Sequence, residues 1–197
     1  HLLPQFEDPG TGALLGSCPG IIVIGTQECK YEVKSKATSG SPGKSAPPKV
    51  EKVNHWDGML HSLLSRHYYL VQKISLLEMR LNVFALKKLS NLVSDVHSST
   101  EATGLGHVYG NKGGLAIKLN VAGMSLCFIS CHLAAHMKNL GNRNEDCSEI
   151  IKNLRLENKR IDMVHQFDHV FLLGDLNYRI DMNRIRDPSL EPLKHNT

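Results

Sequence analysis

The chain contains a short apolar segment that runs directly into a Gly-Asp-Leu-Asn turn, from Gly174 to Asn177. The apolar run at 170–173 predicts a short buried β-strand. Gly174 frees the backbone to turn, which leaves Asp175 and Asn177 at the carboxyl end of that strand. Side chains two residues apart in extended chain point in the same direction. This pattern suits a hydrolase, with Asp175 as a base that aims water and Asn177 as a neutral donor to the group under attack. The alternative is an ordinary strand end closed by an Asx turn.

Length and composition favour a globular protein with one domain over residues 1–197, either whole or part of a larger one. The hydrophobic content is 41% and the charged content 21%, which is typical of soluble globular chains. The net charge of +4 is compatible with acidic substrates or an anionic membrane surface, and is too small to indicate nucleic-acid binding by itself. No apolar run approaches the roughly 18 residues of a membrane span, and no signal peptide opens the chain. The five cysteines form no C-x-x-C pair, so we expect reduced intracellular thiols.

Apolar segments that alternate with turns predict a layered α/β or α+β sandwich. We predict strands at 21–24, 68–77, 79–87, 115–119, 124–130 and 170–173, and helices at 55–66 and 144–154. Residues 76–81 are also compatible with a helix, and 98–106 is predicted to be a polar loop. The low-complexity stretch 34–49 predicts a disordered surface insertion within the domain. The inward side chains of the two helices are expected to be Trp56, Met59, Leu60, Leu63, Leu64, Ile150, Ile151 and Leu154.

Four segments carry the candidate chemistry: Gln27 and Glu28, residues 110–114, residues 131–136 and residues 174–179. Three of their polar side chains, Glu28, His132 and Asp175, follow apolar strands. α/β architectures gather their sites at the carboxyl ends of strands. Each segment is weak evidence alone, because it is also compatible with a solvated carboxylate, a tight loop or a structural histidine.

Taken together and in this order, the segments resemble the inositol polyphosphate 5-phosphatase family of the DNase I-like endonuclease/exonuclease/phosphatase superfamily. The motifs that carry the resemblance are G-N-K-G-G at 110–114, H-L-A-A-H at 132–136, R-N-E-D at 143–146 and G-D-L-N-Y-R at 174–179. The resemblance extends from 21 to 180, apart from the insertion at 34–49. It implies a four-layer α/β/β/α sandwich that is incomplete at both ends.

The resemblance implies Mg²⁺-dependent hydrolysis of the 5-phosphate of phosphoinositides or soluble inositol polyphosphates. Glu28 matches the family's metal ligand, and a hard carboxylate oxygen suits Mg²⁺. Asp175 matches the aspartate that orients and deprotonates the attacking water. Asn177 matches the asparagine that donates to the scissile phosphate. His132 matches the histidine that donates to that phosphate or to the leaving oxygen.

The resemblance also implies how the rest of the substrate is bound. Asn111 and Lys112 match a loop that contacts a non-scissile phosphate, while His136 and Arg143 are expected to assist, with packing or loop hydrogen bonding as the alternative. The expected partners are a phosphoinositide or inositol phosphate and an anionic membrane surface, for a protein that is cytoplasmic and peripheral at membranes. No nucleic-acid partner is expected, because the chain has no dense basic stripe with interleaved aromatic residues.

The sequence also departs from the family pattern. Cys131 stands where the family usually has serine, and motifs similar to T-W-N-V-N-G, P-x-W-C-D-R and S-D-H are absent. On these grounds we expect the chain to be inactive by itself. The alternative functions are a catalytically dead phosphoinositide-binding or scaffolding module, and a nuclease or sphingomyelinase of the same fold.

Overall fold

The structure, a computed structural model, describes residues 19–29, 32–34, 51–53, 55–103, 111–158 and 160–180. Its strands are β1 (Ile21–Thr26), β2 (Glu32–Lys34), β3 (Glu51–Val53), β4 (Tyr68–Leu76), β5 (Met79–Leu86), β6 (Val93–Ala102), β7 (Gly113–Val121), β8 (Met124–His132) and β9 (His169–Asp175). The α-helices are α1 (His55–Leu64) and α2 (Leu140–Asn153), and 3-10 helices cover Lys87–Leu92 and Met163–His165. All the predicted strands and both predicted helices are present, with different ends.

The first sheet consists of three antiparallel strands in the order β1-β5-β4. β4 and β5 form a hairpin that pairs Leu76 with Met79 at its tight end. β5 is buried along its whole length, because it lies in the centre of the sheet and is covered on both faces. The predicted pair of strands is therefore confirmed, and the helical alternative for 76–81 is wrong. A separate two-stranded ribbon pairs β2 with β3.

The second sheet has four strands in the order β6-β7-β8-β9. The predicted hairpin is confirmed as β7 and β8, which turn at Ala122 and Gly123 with φ angles of 51° and 85°. Positive φ at both turn residues matches the right-handed twist of the two strands. β9 is parallel to β8, so these two strands end at the same edge of the sheet.

The two sheets and two helices form four layers. One apolar cluster joins α1 to the first sheet, a second fills the space between the sheets, and a third joins α2 to the second sheet. Representative members of these clusters are, in the same order, Leu60 with Phe84, Val83 with Ile117, and Ile150 with Ile129. The predicted α/β/β/α order of layers is confirmed.

The polar loop predicted at 98–106 is wrong for its first half. Val93–Ala102 form β6, which pairs with β7 at the edge of the second sheet. Val93 and Val96 pack into the cluster between the sheets, whereas most of the other β6 side chains are exposed and polar. An edge strand with one solvated face shows too few apolar positions to be distinguished from a loop.

The last strand also differs from its prediction. β9 lies at the edge of the second sheet, and Phe171 and Leu172 are 50% and 47% exposed. A short apolar run shows that a strand is favoured but does not show whether neighbours cover it. On α1, Leu60 and Leu64 are buried as predicted, but Met59 and Leu63 are exposed.

The predicted insertion at 34–49 lies outside the described residues except for Lys34, which ends β2. Within the described part of the chain, no helix is long and apolar enough to cross a membrane.

Candidate functional site

Three of the candidate side chains meet at one end of the second sheet. His132 ends β8 and Asp175 ends β9, and the two residues are paired in register. The His132 Nε2 atom lies 3.7 Å from Asp175 Oδ2. Lys112 directly precedes β7, and its Nζ atom lies 2.5 Å from the same Nε2 atom. The strand pairing therefore gathers an ammonium, an imidazole and a carboxylate from three segments of the chain.

Glu28 reaches this cluster from the first sheet. Near the end of β1, Gly25 lies so close to the second sheet that an added Cβ atom would come within 2.7 Å of Ser130 Oγ. The Gln27 Nε2 atom donates a hydrogen bond of 3.2 Å to the same oxygen. Glu28 follows in a left-handed conformation with φ of 57°, and its exposed carboxylate is close enough to act on the pKa values of Lys112 and His132. The four segments surround one site, as the sequence predicts.

Burial and the neighbouring ammonium favour a neutral His132. Burial lowers the pKa of His132, the Lys112 ammonium lowers it further, and the carboxylates of Asp175 and Glu28 act in the opposite direction. Burial also lowers the pKa of Lys112, against the attraction of Asp175, Glu28 and Asp146. A neutral imidazole can accept a hydrogen bond at Nε2 from the Lys112 ammonium. The site therefore favours a neutral imidazole whose Nε2 atom is hydrogen-bonded to Lys112.

Asp175 and Asn177 are brought together by a turn. The prediction that extended chain points their side chains in the same direction is therefore wrong. Asn177 has φ of 54°, and its N–H donates to Asp175 Oδ1 at 3.0 Å. This contact is the Asx turn that the sequence left as an alternative, and it occurs within the site. Leu133 ties the turn to β8, because its N–H donates to the Asp175 carbonyl and its carbonyl accepts from Asn177 Nδ2, both at 3.0 Å.

Glycines fix the backbone at two points of the site. Gly174 has φ of 118°, and a Cβ atom there would lie 2.1 Å from the Cys131 carbonyl oxygen. At Gly113, with φ of 151°, a Cβ atom would lie 2.3 Å from the Glu101 carbonyl oxygen. Gly113, which follows Lys112, is thus required because its backbone packs closely against β6. This requirement is additional to any approach of the backbone to an anion.

His136 and Arg143 occupy different surroundings. His136 is exposed, with φ of 72°. Arg143 is 1% exposed, and its guanidinium donates to the carbonyls of Ala134, His136 and Met137 at 3.3, 2.6 and 3.4 Å. These contacts favour loop hydrogen bonding, the alternative left open for Arg143, over direct contact with a substrate.

Asp146 belongs to the site but was not among the predicted site residues. Its Oδ2 atom accepts a hydrogen bond of 2.9 Å from the Ala134 N–H, so Arg143 and Asp146 hold the loop after His132 together. Their spacing of three residues places both side chains on one face of α2. That spacing within R-N-E-D is the signal that could have identified Asp146. Tyr178 joins this unit through a 2.8 Å hydrogen bond to Asn144.

The donors of the site fit a magnesium ion that also binds water and substrate. Within the described ranges, no three His, Cys, Asp or Glu side chains are grouped closely enough to hold a metal ion. Mg²⁺ is typically held by one or two carboxylates together with waters and substrate phosphates, not by a cage of protein ligands. Glu28 and Asp175 offer two carboxylates that act on the same ammonium and imidazole, and this hard-oxygen set suits that mode of binding.

Comparisons with known proteins agree with this geometry. The model of Endonuclease/Exonuclease/phosphatase family 2 matches residues 11–192. The chain is similar to phosphatidylinositol 3,4,5-trisphosphate 5-phosphatase 2B of Danio rerio, with 33% identity over 74% of this chain and 12% of the relative. It is also similar to synaptojanin-1 of Homo sapiens, with 37% identity over 64% of this chain and 8% of the relative.

A solved structure shares the fold of this chain. The inositol polyphosphate 5-phosphatase domain of SPsynaptojanin, in complex with inositol (1,4)-bisphosphate and a calcium ion, matches with a TM-score of 0.65 and 27% identity over 84% of this chain and 46% of that one. The chain thus spans less than half of the solved domain and less than a fifth of the curated relatives. It has a DNase I-like fold and belongs to the endonuclease/exonuclease/phosphatase family, with inositol polyphosphate and phosphoinositide 5-phosphatases among its relatives.

Proposed function

We propose that the chain forms part of a Mg²⁺-dependent phosphatase that removes the 5-phosphate from phosphoinositides or soluble inositol polyphosphates. The observation that carries this proposal is the convergence of Glu28, Lys112, His132 and Asp175 from both sheets. The relatives named as 5-phosphatases support the substrate class. A hydrolase of a phosphate ester needs a base, a source of positive charge and donors to the phosphoryl oxygens, and this cluster contains all three.

Each side chain has a role that follows from its position. Glu28 would hold Mg²⁺, which supplies charge neutralisation at the phosphoryl oxygens. Asp175 aims and deprotonates the attacking water, while Asn177 donates to the scissile phosphate. Holding the water and the phosphate in line accounts for much of the rate of such a reaction.

Lys112 and His132 act as a pair in this proposal. In the structure the Lys112 ammonium donates to His132 Nε2. A substrate phosphate attracts the ammonium, which frees Nε2 to take up a proton from solvent and then donate it to the leaving oxygen or a phosphoryl oxygen. Asn111, next to Lys112, contacts the non-scissile phosphate. Arg143 contributes by holding the loop after His132, and His136 extends from that loop towards the substrate.

We also propose that the protein works at the surface of anionic membranes from the cytoplasm. The loops that follow His132 and Asp175 and the first residue of α2 carry four exposed apolar side chains: Met137, Leu140, Tyr178 and Ile180. The same loops carry exposed cationic side chains at Lys138 and Arg179. Apolar side chains beside cations suit contact with anionic lipid headgroups and the outer acyl region. This arrangement supports a lipid as well as a soluble substrate.

The test measures binding by calorimetry, with inositol 1,4,5-trisphosphate and inositol 1,4-bisphosphate as probes, in Mg²⁺ and then in EDTA. We expect tighter binding of the trisphosphate in Mg²⁺ than in EDTA, and loss of that difference in Glu28→Gln. Lys112→Met should weaken both probes by about tenfold, the equivalent of about 1.4 kcal/mol, since it removes a charged hydrogen-bond donor. Lys118→Met is the matched control, because Lys118 is a buried lysine paired with Asp95 and Glu157 away from the site.

Binding that is equal in Mg²⁺ and EDTA and unaffected by both site variants would refute the proposal. Phosphate release is measured in parallel, with Asp175→Asn as the inactive reference. Mg²⁺-dependent phosphate release by the unmodified chain would contradict the expectation that it is inactive by itself, and cleavage of single-stranded DNA favours a nuclease.

A further inference from the structure

Glu28 lies in a strained turn whose neighbours are both fixed by hydrogen bonds. With φ of 57°, Glu28 occupies the left-handed region, which is unfavourable for residues that have a Cβ atom. Such conformations persist only where the surrounding structure determines them, and they cluster at functional sites. On one side of Glu28, Gln27 donates to Ser130. On the other side, the Cys29 N–H donates to the Glu78 carbonyl at 2.9 Å.

Arg80 completes this arrangement from inside the first sheet. Its side chain is 1% exposed, although arginine is rarely buried to this extent. One terminal nitrogen, Nη1, donates to the carbonyls of Leu77 and Met79 at 2.9 and 2.7 Å, and the other, Nη2, donates to the Cys29 carbonyl at 3.0 Å. The guanidinium therefore fastens the turn after β1 to the turn between β4 and β5.

The planar guanidinium is suited to this task. Its donors point in fixed directions, so one side chain can hold carbonyls from two separate turns. A lysine at the same position would keep the charge but could not reproduce the fork. Because Cys29 is held through both its N–H and its carbonyl, the direction in which Glu28 leaves the backbone is also fixed.

We infer that Arg80 is a positioning residue for Glu28 as a ligand of the divalent cation, an inference that rests on the proposed function of the site. Arg80 does not touch the cation or the substrate. It holds the strained turn in the one conformation that directs the Glu28 carboxylate towards Lys112 and His132.

The first test is the exchange rate of the Cys29 amide in the whole chain, measured by NMR in Arg80→Lys. We expect exchange at Cys29 to be at least about tenfold faster, while the amides of Ala116 and Ile129 in the second sheet keep their rates. Lys118→Met is the control for loss of a buried cation, and it should leave Cys29 unchanged. If Arg80→Lys does not fold, Arg80→Gln is measured with the same expectations. Unchanged exchange at Cys29 would overturn the inference.

The second test is the affinity for Mn²⁺, measured by electron paramagnetic resonance of the free ion. Arg80→Lys should weaken Mn²⁺ binding by about tenfold or more, as expected when the support of a metal ligand is lost. In a Glu28→Gln background the same substitution should have no further effect, because the two residues act through one contact with the cation. Additive losses would contradict the inference, since a general loss of packing gives that result. Failure of the unmodified chain to bind Mn²⁺ would refute the proposed function, and Cys29 exchange would still decide whether Arg80 holds the turn.

Discussion

The imidazole of His132 is buried beside an ammonium group, and both features lower its pKa. We predict that Lys112→Met raises the pKa of His132 but leaves it below the ordinary value of about 6.5, since burial is the larger cause. Asp175→Asn should lower it further, because the lost carboxylate stabilises the charged ring. NMR titration of the His132 ring protons measures both changes. The Lys118→Met control should titrate like the unmodified protein, and a shift in the opposite direction in either site variant would contradict the geometry.

The same group makes stability depend on pH. Because the pKa of folded His132 lies below its unfolded value, the unfolded chain takes up the proton first as the pH falls. The stability that comes from keeping His132 neutral is therefore retained above about pH 6.5. Below that pH the free energy of unfolding declines, by at most about 1.4 kcal/mol per pH unit. Urea titrations of the unmodified protein and His132→Gln at several pH values should show a shallower decline in the variant.

The side chains that contact one another at the site were predicted from sequence, whereas two that hold backbone groups near the site were missed. Lys112, His132 and Asp175 were predicted from motif and strand position, and the structure brings them together. Asp146 and Arg80 were missed, because their partners are backbone groups of distant turns. Any residue type supplies a backbone carbonyl or N–H, so the sequence does not show which backbone groups these side chains contact.

At the scale of elements, the sequence predicted where the apolar strands lie, but it predicted which strands pair only for strands that are adjacent in the chain. The β4–β5 and β7–β8 hairpins were predicted, because each joins two apolar segments across a short turn. β6 was missed because it is polar and pairs with β7 across the stretch at 104–110. β9 was placed correctly but predicted to be buried, because its pairing with β8 crosses α2 and is parallel. Contacts of this kind depend on the fold and not on local pattern.

The contact between α2 and β7 depends on Gly114. A Cβ atom there would lie 2.5 Å from Ile150 Cγ2, so Gly114→Ala should push α2 away from the second sheet. We predict a loss of about 1–3 kcal/mol in the free energy of unfolding, as for other overpacked cores. Urea denaturation followed by circular dichroism measures this loss.

Two further variants show whether the loss comes from this contact. Gly141→Ala, in the first turn of α2 with open space around its Cα, should instead gain up to about 1 kcal/mol from helix propensity. In Gly114→Ala combined with Ile150→Ala, the clash is removed, so the double variant should lose less than the two single losses together. Strict additivity would show that Gly114 has another role.

At the scale of the whole molecule, the site depends on how the two sheets face each other. Glu28 comes from the first sheet, while Lys112, His132 and Asp175 come from the second. Gly25 permits the close approach, and the Gln27–Ser130 hydrogen bond crosses between the sheets. A ligand held by residues of both sheets must therefore stabilise both sheets, although it contacts only one end of them.

This coupling predicts how ligand binding shifts unfolding. Trp56 is the only tryptophan in the sequence, and it packs in the cluster between α1 and the first sheet. With Mg²⁺ and inositol 1,4,5-trisphosphate at 100 times its dissociation constant, the free energy of unfolding should rise by about 2.7 kcal/mol. Trp56 fluorescence and far-ultraviolet circular dichroism should report the same rise, and Lys112→Met at the same ligand concentration should show a smaller one. If circular dichroism shifts while the Trp56 transition does not, the ligand is bound by the second sheet alone, and Glu28 is not part of the site.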